Sequence, residues 1–137
     1  MGDPIFIDTN VFLRFFVADV EGFYQRAMGL FERAEKGEIR LVTSDMVIAE
    51  IVWVLESYYG FKKEEVRTVV ETLLHSKGLK VINSDLIEKA IINYVDLDVD
   101  FIDAYNGALM KVKGYNEVVT FDEKHFQKLE GIRILTI

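Results

Sequence analysis

Ile5-Phe6-Ile7-Asp8-Thr9-Asn10 runs three apolar residues directly into a carboxylate and two further polar residues. A short apolar run without alternation, rich in β-branched and aromatic side chains, suits a strand covered on both faces, as strands of parallel sheets are. Asp-Thr-Asn then ends the strand and opens a helix, since Asp accepts well from the free N–H groups of a first helical turn. The first buried strand therefore delivers an acid at its C-terminal end.

The same order repeats along the chain. Helical patterns cover about 11–17 and 21–36, closed by Gly37, and a second strand is expected at 40–43. Ser44 or Asp45 caps a helix through Tyr59, stopped by Gly60; another covers about 63–76, stopped by Gly78. A third strand at 79–82 is followed, after Ser84, by a helix to about Tyr94, an acidic stretch, and a helix over about 101–113 ended by Gly114. A strand at 117–121, a short helix over 123–129 and a last strand at 132–137 complete the pattern. Strands alternating with long helices imply an α/β fold with parallel pairing and helices on both faces. No repeat, low-complexity tract or linker interrupts the chain, and its single proline, Pro4, lies in the leader, so residues 1–137 read as one domain.

The 137 residues are half hydrophobic, enough to bury a core without disulfides. The absence of cysteine removes disulfides, zinc-thiolate sites and thiol nucleophiles together, and suits a reducing cytoplasm. No basic-flanked leader and no run of about 18 apolar residues supports a signal peptide or membrane span. With 23 acidic against 16 basic residues the formal charge is −7, which speaks against nucleic-acid binding through a broad basic surface. Acids that gather around divalent cations reverse the local sign of that field.

In open sheets, ligands bind beyond the carboxyl ends of the strands, where helix N-termini also point. Asp8 and Asp122 both fall at that edge; each also reads as an ordinary helix N-cap. Glu50 borders an apolar arc that includes Val47, Ile48, Ile51, Val52 and Leu55, so it sits at a cleft rim or pairs with a base. Asp103 lies off the apolar face of its helix, on the side of Asp100 and Gly107, although two acids in a first turn also simply complement the macrodipole. Asp96, Asp98 and Asp100 imitate the start of a calcium loop, but Phe101 and Gly107 stand where glycine and glutamate are needed, which excludes an EF-hand. Acids collected at one sheet edge repel one another unless cations intervene, and all-oxygen ligands suit Mg²⁺ or Mn²⁺. Such ions activate water for attack on a phosphodiester.

Taken in order, Ile-Phe-Ile-Asp-Thr-Asn (Asp8, Thr9, Asn10), Ile-Ala-Glu-Ile (Glu50), Phe-Ile-Asp-Ala (Asp103) and Val-Thr-Phe-Asp-Glu-Lys-His-Phe (Thr120, Asp122) resemble the motifs of PIN-domain ribonucleases, more closely the VapC-like toxins of toxin–antitoxin pairs, over nearly the whole chain. The resemblance implies a PIN-like three-layer sandwich with a five-stranded, mostly parallel sheet between helices. It makes Asp8, Glu50, Asp103 and Asp122 the metal-binding catalytic acids, with Asn10 and Thr120 orienting carboxylates and water and Asp100 an additional acid. It further implies Mg²⁺ or Mn²⁺, endonucleolytic cutting of RNA in the cytoplasm, a homodimer, and a small antitoxin whose C-terminal arm enters the acidic cleft.

Other residues carry less. His75 and His125 have no neighbouring nucleophile in the sequence and read as surface histidines, with His125 near enough to Asp122 to approach the cleft rim. Arg14, Lys111, Lys113, Lys124 and Lys128 read as solvated charge that can also touch phosphate. Phe12, Phe15, Phe16, Phe23, Tyr24 and Phe31 read as core or dimer contacts. An aspartate-dependent phosphatase would need a second acid where Asn10 stands, and a catalytically silent PIN-like binding module would keep the same acids without turnover.

Overall fold

A computed structural model describes residues 2–137, and the chain divides into two compact units, one ending at Ser84 and one spanning Asp85–Ile137. The first unit contains β1 (Ile5–Phe6), α1 (Thr9–Val17), α2 (Glu21–Glu35), β2 (Leu41–Thr43), α3 (Asp45–Ser57), α4 (Lys63–Leu74) and β3 (Leu79–Val81). The second contains α5 (Ser84–Asp96, its first residue at the boundary), α6 (Phe101–Lys113), β4 (Glu117–Val119), α7 (Glu123–Phe126) and β5 (Arg133–Leu135).

All five expected strands form, and every pair is parallel. Their ladders divide into a three-stranded sheet ordered β1-β2-β3, in register Ile5↔Leu41↔Leu79, and a β4-β5 pair in register Glu117↔Arg133. The central strand is the well-covered one, with Leu41 and Thr43 buried. On the edge strand β1, by contrast, Ile5 and Phe6 are exposed and the expected burial falls on Ile7 alone. Ile7 still donates to the Val42 carbonyl at 2.9 Å, so pairing continues to the residue before Asp8.

The core of the first unit is the apolar face of α3 (Val47, Ile48, Ile51, Val52, Leu55) together with Val66, Val70 and Leu73 of α4 and Phe12 of α1, residues that recur at helical spacing. Ser44 rather than Asp45 caps α3, its hydroxyl accepting from Val47 N at 3.2 Å. That helix ends at Ser57, two residues short of expectation, and α4 ends at Leu74. Gly78 follows with φ +87°, and a Cβ there would lie 2.4 Å from the Ala34 carbonyl oxygen, so only glycine fits the approach of this turn to α2.

In the second unit, Ile87, Ala90, Ile91 and Tyr94 of α5 and Phe101, Ala104 and Ala108 of α6 are buried. The bounds of α6 match expectation, and Gly114 closes it in the left-handed conformation. β4 stops at Val119 rather than residue 121, because the Thr120 hydroxyl turns to the backbone of Asp122. Among the described residues, no helix is long and apolar enough to cross a membrane.

Candidate active site

In the first unit, strand and helix meet at Asp8. The Thr43 hydroxyl, fully buried, donates to the Ile7 carbonyl at 2.8 Å, which with the Ile7–Val42 bond pins the backbone that leads into Asp8. Asp8 is the N-cap of α1, its Oδ1 accepting from Thr9 N at 2.8 Å, and it remains exposed with a second oxygen available. The Thr9 hydroxyl is buried without a partner. Asn10, exposed one step on, lines a groove with Arg14, Phe23 and Arg26. Glu50 is exposed on the outer side of α3 between Met46 and Trp53, themselves 76% and 66% exposed. Among the described residues it has no ion pair, which removes the salt-bridged alternative.

The second unit brings acids together. Asp100 is the N-cap of α6, yet its side chain makes no cap bond. Its backbone N–H donates to His125 Nδ1 at 3.2 Å, and its Oδ2 lies 3.4 Å from His125 Nε2. Because Nδ1 accepts, the ring proton resides on Nε2 and faces the carboxylate. Asp103, one turn along and half-buried, joins Asp100 and His125 so that one ligand atom from each lies within 4.8 Å of the others. Burial pushes the Asp103 carboxyl above its ordinary range, His125 pulls it down, and the charges of Asp100 and Asp122 push it further up. Asp122 stands at the start of α7 and, against the N-cap expectation, makes no side-chain cap bond. Thr120 holds it by the backbone, its hydroxyl accepting from Asp122 N at 3.0 Å and donating to Asp122 O at 3.3 Å.

The structure therefore gathers Asp100, Asp103 and His125, with Asp122 near enough to act on Asp103, while Asp8 and Glu50 are each presented outward by the first unit. Two sequence readings change. Asp100 is no mere decoration of a first turn, and His125 is not a free surface residue: its side chain is 15% exposed and engaged with Asp100. The available signal for His125 was its place three residues after Asp122, one turn into a short helix. His75 stays structural, its Nδ1 bonded to the Glu71 carbonyl.

Carboxylates left uncapped at the starts of α6 and α7, beside an Asp103 held above its ordinary pKa by burial first and by Asp100 and Asp122 next, give this α/β protein an acidic centre. Residues 5–132 match the PIN domain, and the chain belongs to that family. It is 32% identical over 123 residues to the VapC ribonuclease of Aquifex aeolicus (strain VF5), an alignment covering 90% of each chain.

Proposed function

We propose that this chain, as a single domain over residues 1–137, is a divalent-metal-dependent endoribonuclease and the toxin of a toxin–antitoxin pair. The observation that carries the reading is Asp103, half-buried and pushed up by burial and by Asp100 and Asp122, in a PIN-family chain similar to a VapC ribonuclease. Negative charge compressed in this way is relieved by a cation, so the residues present fit one. Asp8, Glu50, Asp103 and Asp122 are the proposed metal-binding and catalytic acids, with Asp100 beside them; oxygen donors favour Mg²⁺ or Mn²⁺ over softer ions. His125 is a poor ligand as it stands, because one ring nitrogen is taken by the Asp100 N–H and the other carries the proton. Its work is to orient Asp100.

The bound ion would supply a water of lowered pKa and neutralise charge on the phosphodiester. The protein supplies position. Thr43 fixes the peptide that delivers Asp8, Thr120 fixes the peptide of Asp122, and Asn10 offers an exposed amide beside Asp8. RNA is the substrate, a homodimer the working assembly, the cytoplasm the compartment, and a small antitoxin whose C-terminal arm enters the acidic cleft the inhibitor.

The test is incubation of the purified chain with a mixed RNA pool and Mg²⁺ or Mn²⁺, beside EDTA and beside folded Asp8→Asn and Asp103→Asn variants. Internal cutting that needs metal and that both variants lose is the expected result. Equal inertness of wild type and variants across both metals would overturn the nuclease and leave a PIN-like binding module.

A further inference from the structure

A second feature of the Asp85–Ile137 unit lies outside the acids. Between α5, α6 and the segment after α7 runs a groove of about 490 Å³ whose lining includes Lys89, Lys111 and Lys128 against a single acid, Glu130. In a chain of net charge −7, that local excess of cations is reversed from the whole. Among the described residues Lys89 and Lys111 have no ion pair, and Lys128 donates to the Asp98 carbonyl at 3.2 Å, fastening the groove to the loop that leads into Asp100. Ile92 and Val112 add exposed apolar surface to the same lining. The floor depends on Gly107, where a Cβ would meet Leu129 Cδ1 at 2.8 Å.

Along α6, Asp103, Gly107 and Lys111 follow one another at four-residue spacing, so acids and groove occupy successive turns of one helix side. Asp103 and Lys111 are about 12 Å apart along the axis at 1.5 Å per residue. A single nucleic-acid strand that set one phosphate at the acids and ran along this side of α6 would carry neighbouring phosphates into the groove. Lysine ammonium groups suit those phosphates as mobile point charges, and apolar side chains in the same lining suit the faces of bases or riboses.

We propose that the Lys89–Lys111–Lys128 groove is the binding track for the RNA backbone on one side of the cleaved bond. This rests on the nuclease reading and adds to it the residues that hold substrate away from the reacting phosphate.

The experiment measures binding of a fluorescein-labelled, mixed-sequence single-stranded oligoribonucleotide by anisotropy across a salt series. The full chain carries Asp8→Asn to keep the strand intact, while wild-type cutting of the same strand is followed in parallel. Lys89→Gln with Lys111→Gln is compared with Lys36→Gln plus Lys80→Gln, exposed lysines of the other unit. Each lost lysine–phosphate contact lowers the salt slope by about 0.7 for a single strand, so the groove pair should lower it by about 1.4 and weaken binding roughly tenfold at low salt. The control pair should leave the slope as it was. If wild type cuts the strand while the groove variant keeps its affinity and slope, the track is overturned, the nuclease stands, and the groove is left to an acidic protein segment. A wild-type chain that neither binds nor cuts RNA overturns both.

Discussion

α3 and α6 are both thirteen residues long, and each carries one of the proposed catalytic acids, Glu50 and Asp103. They begin differently. Ser44 spends its hydroxyl on the first turn of α3, and Asp45 behind it bonds Met46 N and receives the Asn83 amide. Asp100 holds the equivalent cap position of α6, but its carboxylate is withheld from the helix and turned toward His125. A polar side chain that satisfies the orphan N–H groups of a helix is explained by stability. One that leaves them to other partners, beside Asp103, is not explained by helix stability, and the proposed cation site would account for it.

The largest effect that would break this contrast is on turnover. Asp103→Asn should reduce metal-dependent RNA cutting by on the order of a thousandfold, because it removes a proposed ligand of the ion that would activate water and neutralise the phosphodiester. The same substitution should leave the metal-free protein more heat-stable at neutral pH. The Asp103 carboxyl titrates higher in the folded chain than in the unfolded one, so the stability linked to its protonated form is complete below the ordinary carboxylate range and is lost as pH rises through the raised folded value. Melting curves of wild type and Asp103→Asn should therefore converge toward acid pH and separate toward neutrality, with the wild type lower. A wild type equal to the variant at neutral pH would remove the strain from which the site is argued.

Asp8 combines both roles and so separates them. Asparagine caps a helix about as well as aspartate, so Asp8→Asn should hold thermal stability while losing cutting; Asp8→Ala should lose cutting and also about 1 kcal/mol, read from denaturant midpoints. Smaller still is the difference between the two cap residues. Ser44→Ala should cost about 1 kcal/mol, whereas Asp100→Ala should change stability by less than about 0.5 kcal/mol, since no cap bond is lost and the contact with His125 is made by a mostly exposed carboxylate. Equal costs at Ser44 and Asp100 would show that the two helix starts are alike after all.

Strand and helix existence was readable because apolar runs and glycine stops are local signals, and α6 was placed to the residue by Gly114. Local signals are weaker where side chains compete for backbone. Thr120 diverts β4 early, and the ends of α3 and α4 fall short of the glycines that follow them. The division of the strands into two ladders was not legible, because partner choice is a long-range property. The acids themselves stood out by position, but their states did not. That Asp8 caps while Asp122 does not depends on backbone angles that sequence spacing leaves open. His125 was missed as a partner of Asp100 because the two are far apart along the chain.

The parallel sheet also sets the order in which strands can find partners as the chain is made. β1 has no partner until Leu41–Thr43 emerges, and β2 lacks its second neighbour until Leu79–Val81 follows. During that interval Phe12 and Phe15 of α1 can already pack on Phe31 of α2, with ring centroids 5.5 and 5.1 Å apart in the finished protein. A helical hairpin formed at that stage would shelter the aromatic surface of the nascent chain, so substitutions there should tell first on the yield of soluble protein and only afterwards on its melting temperature.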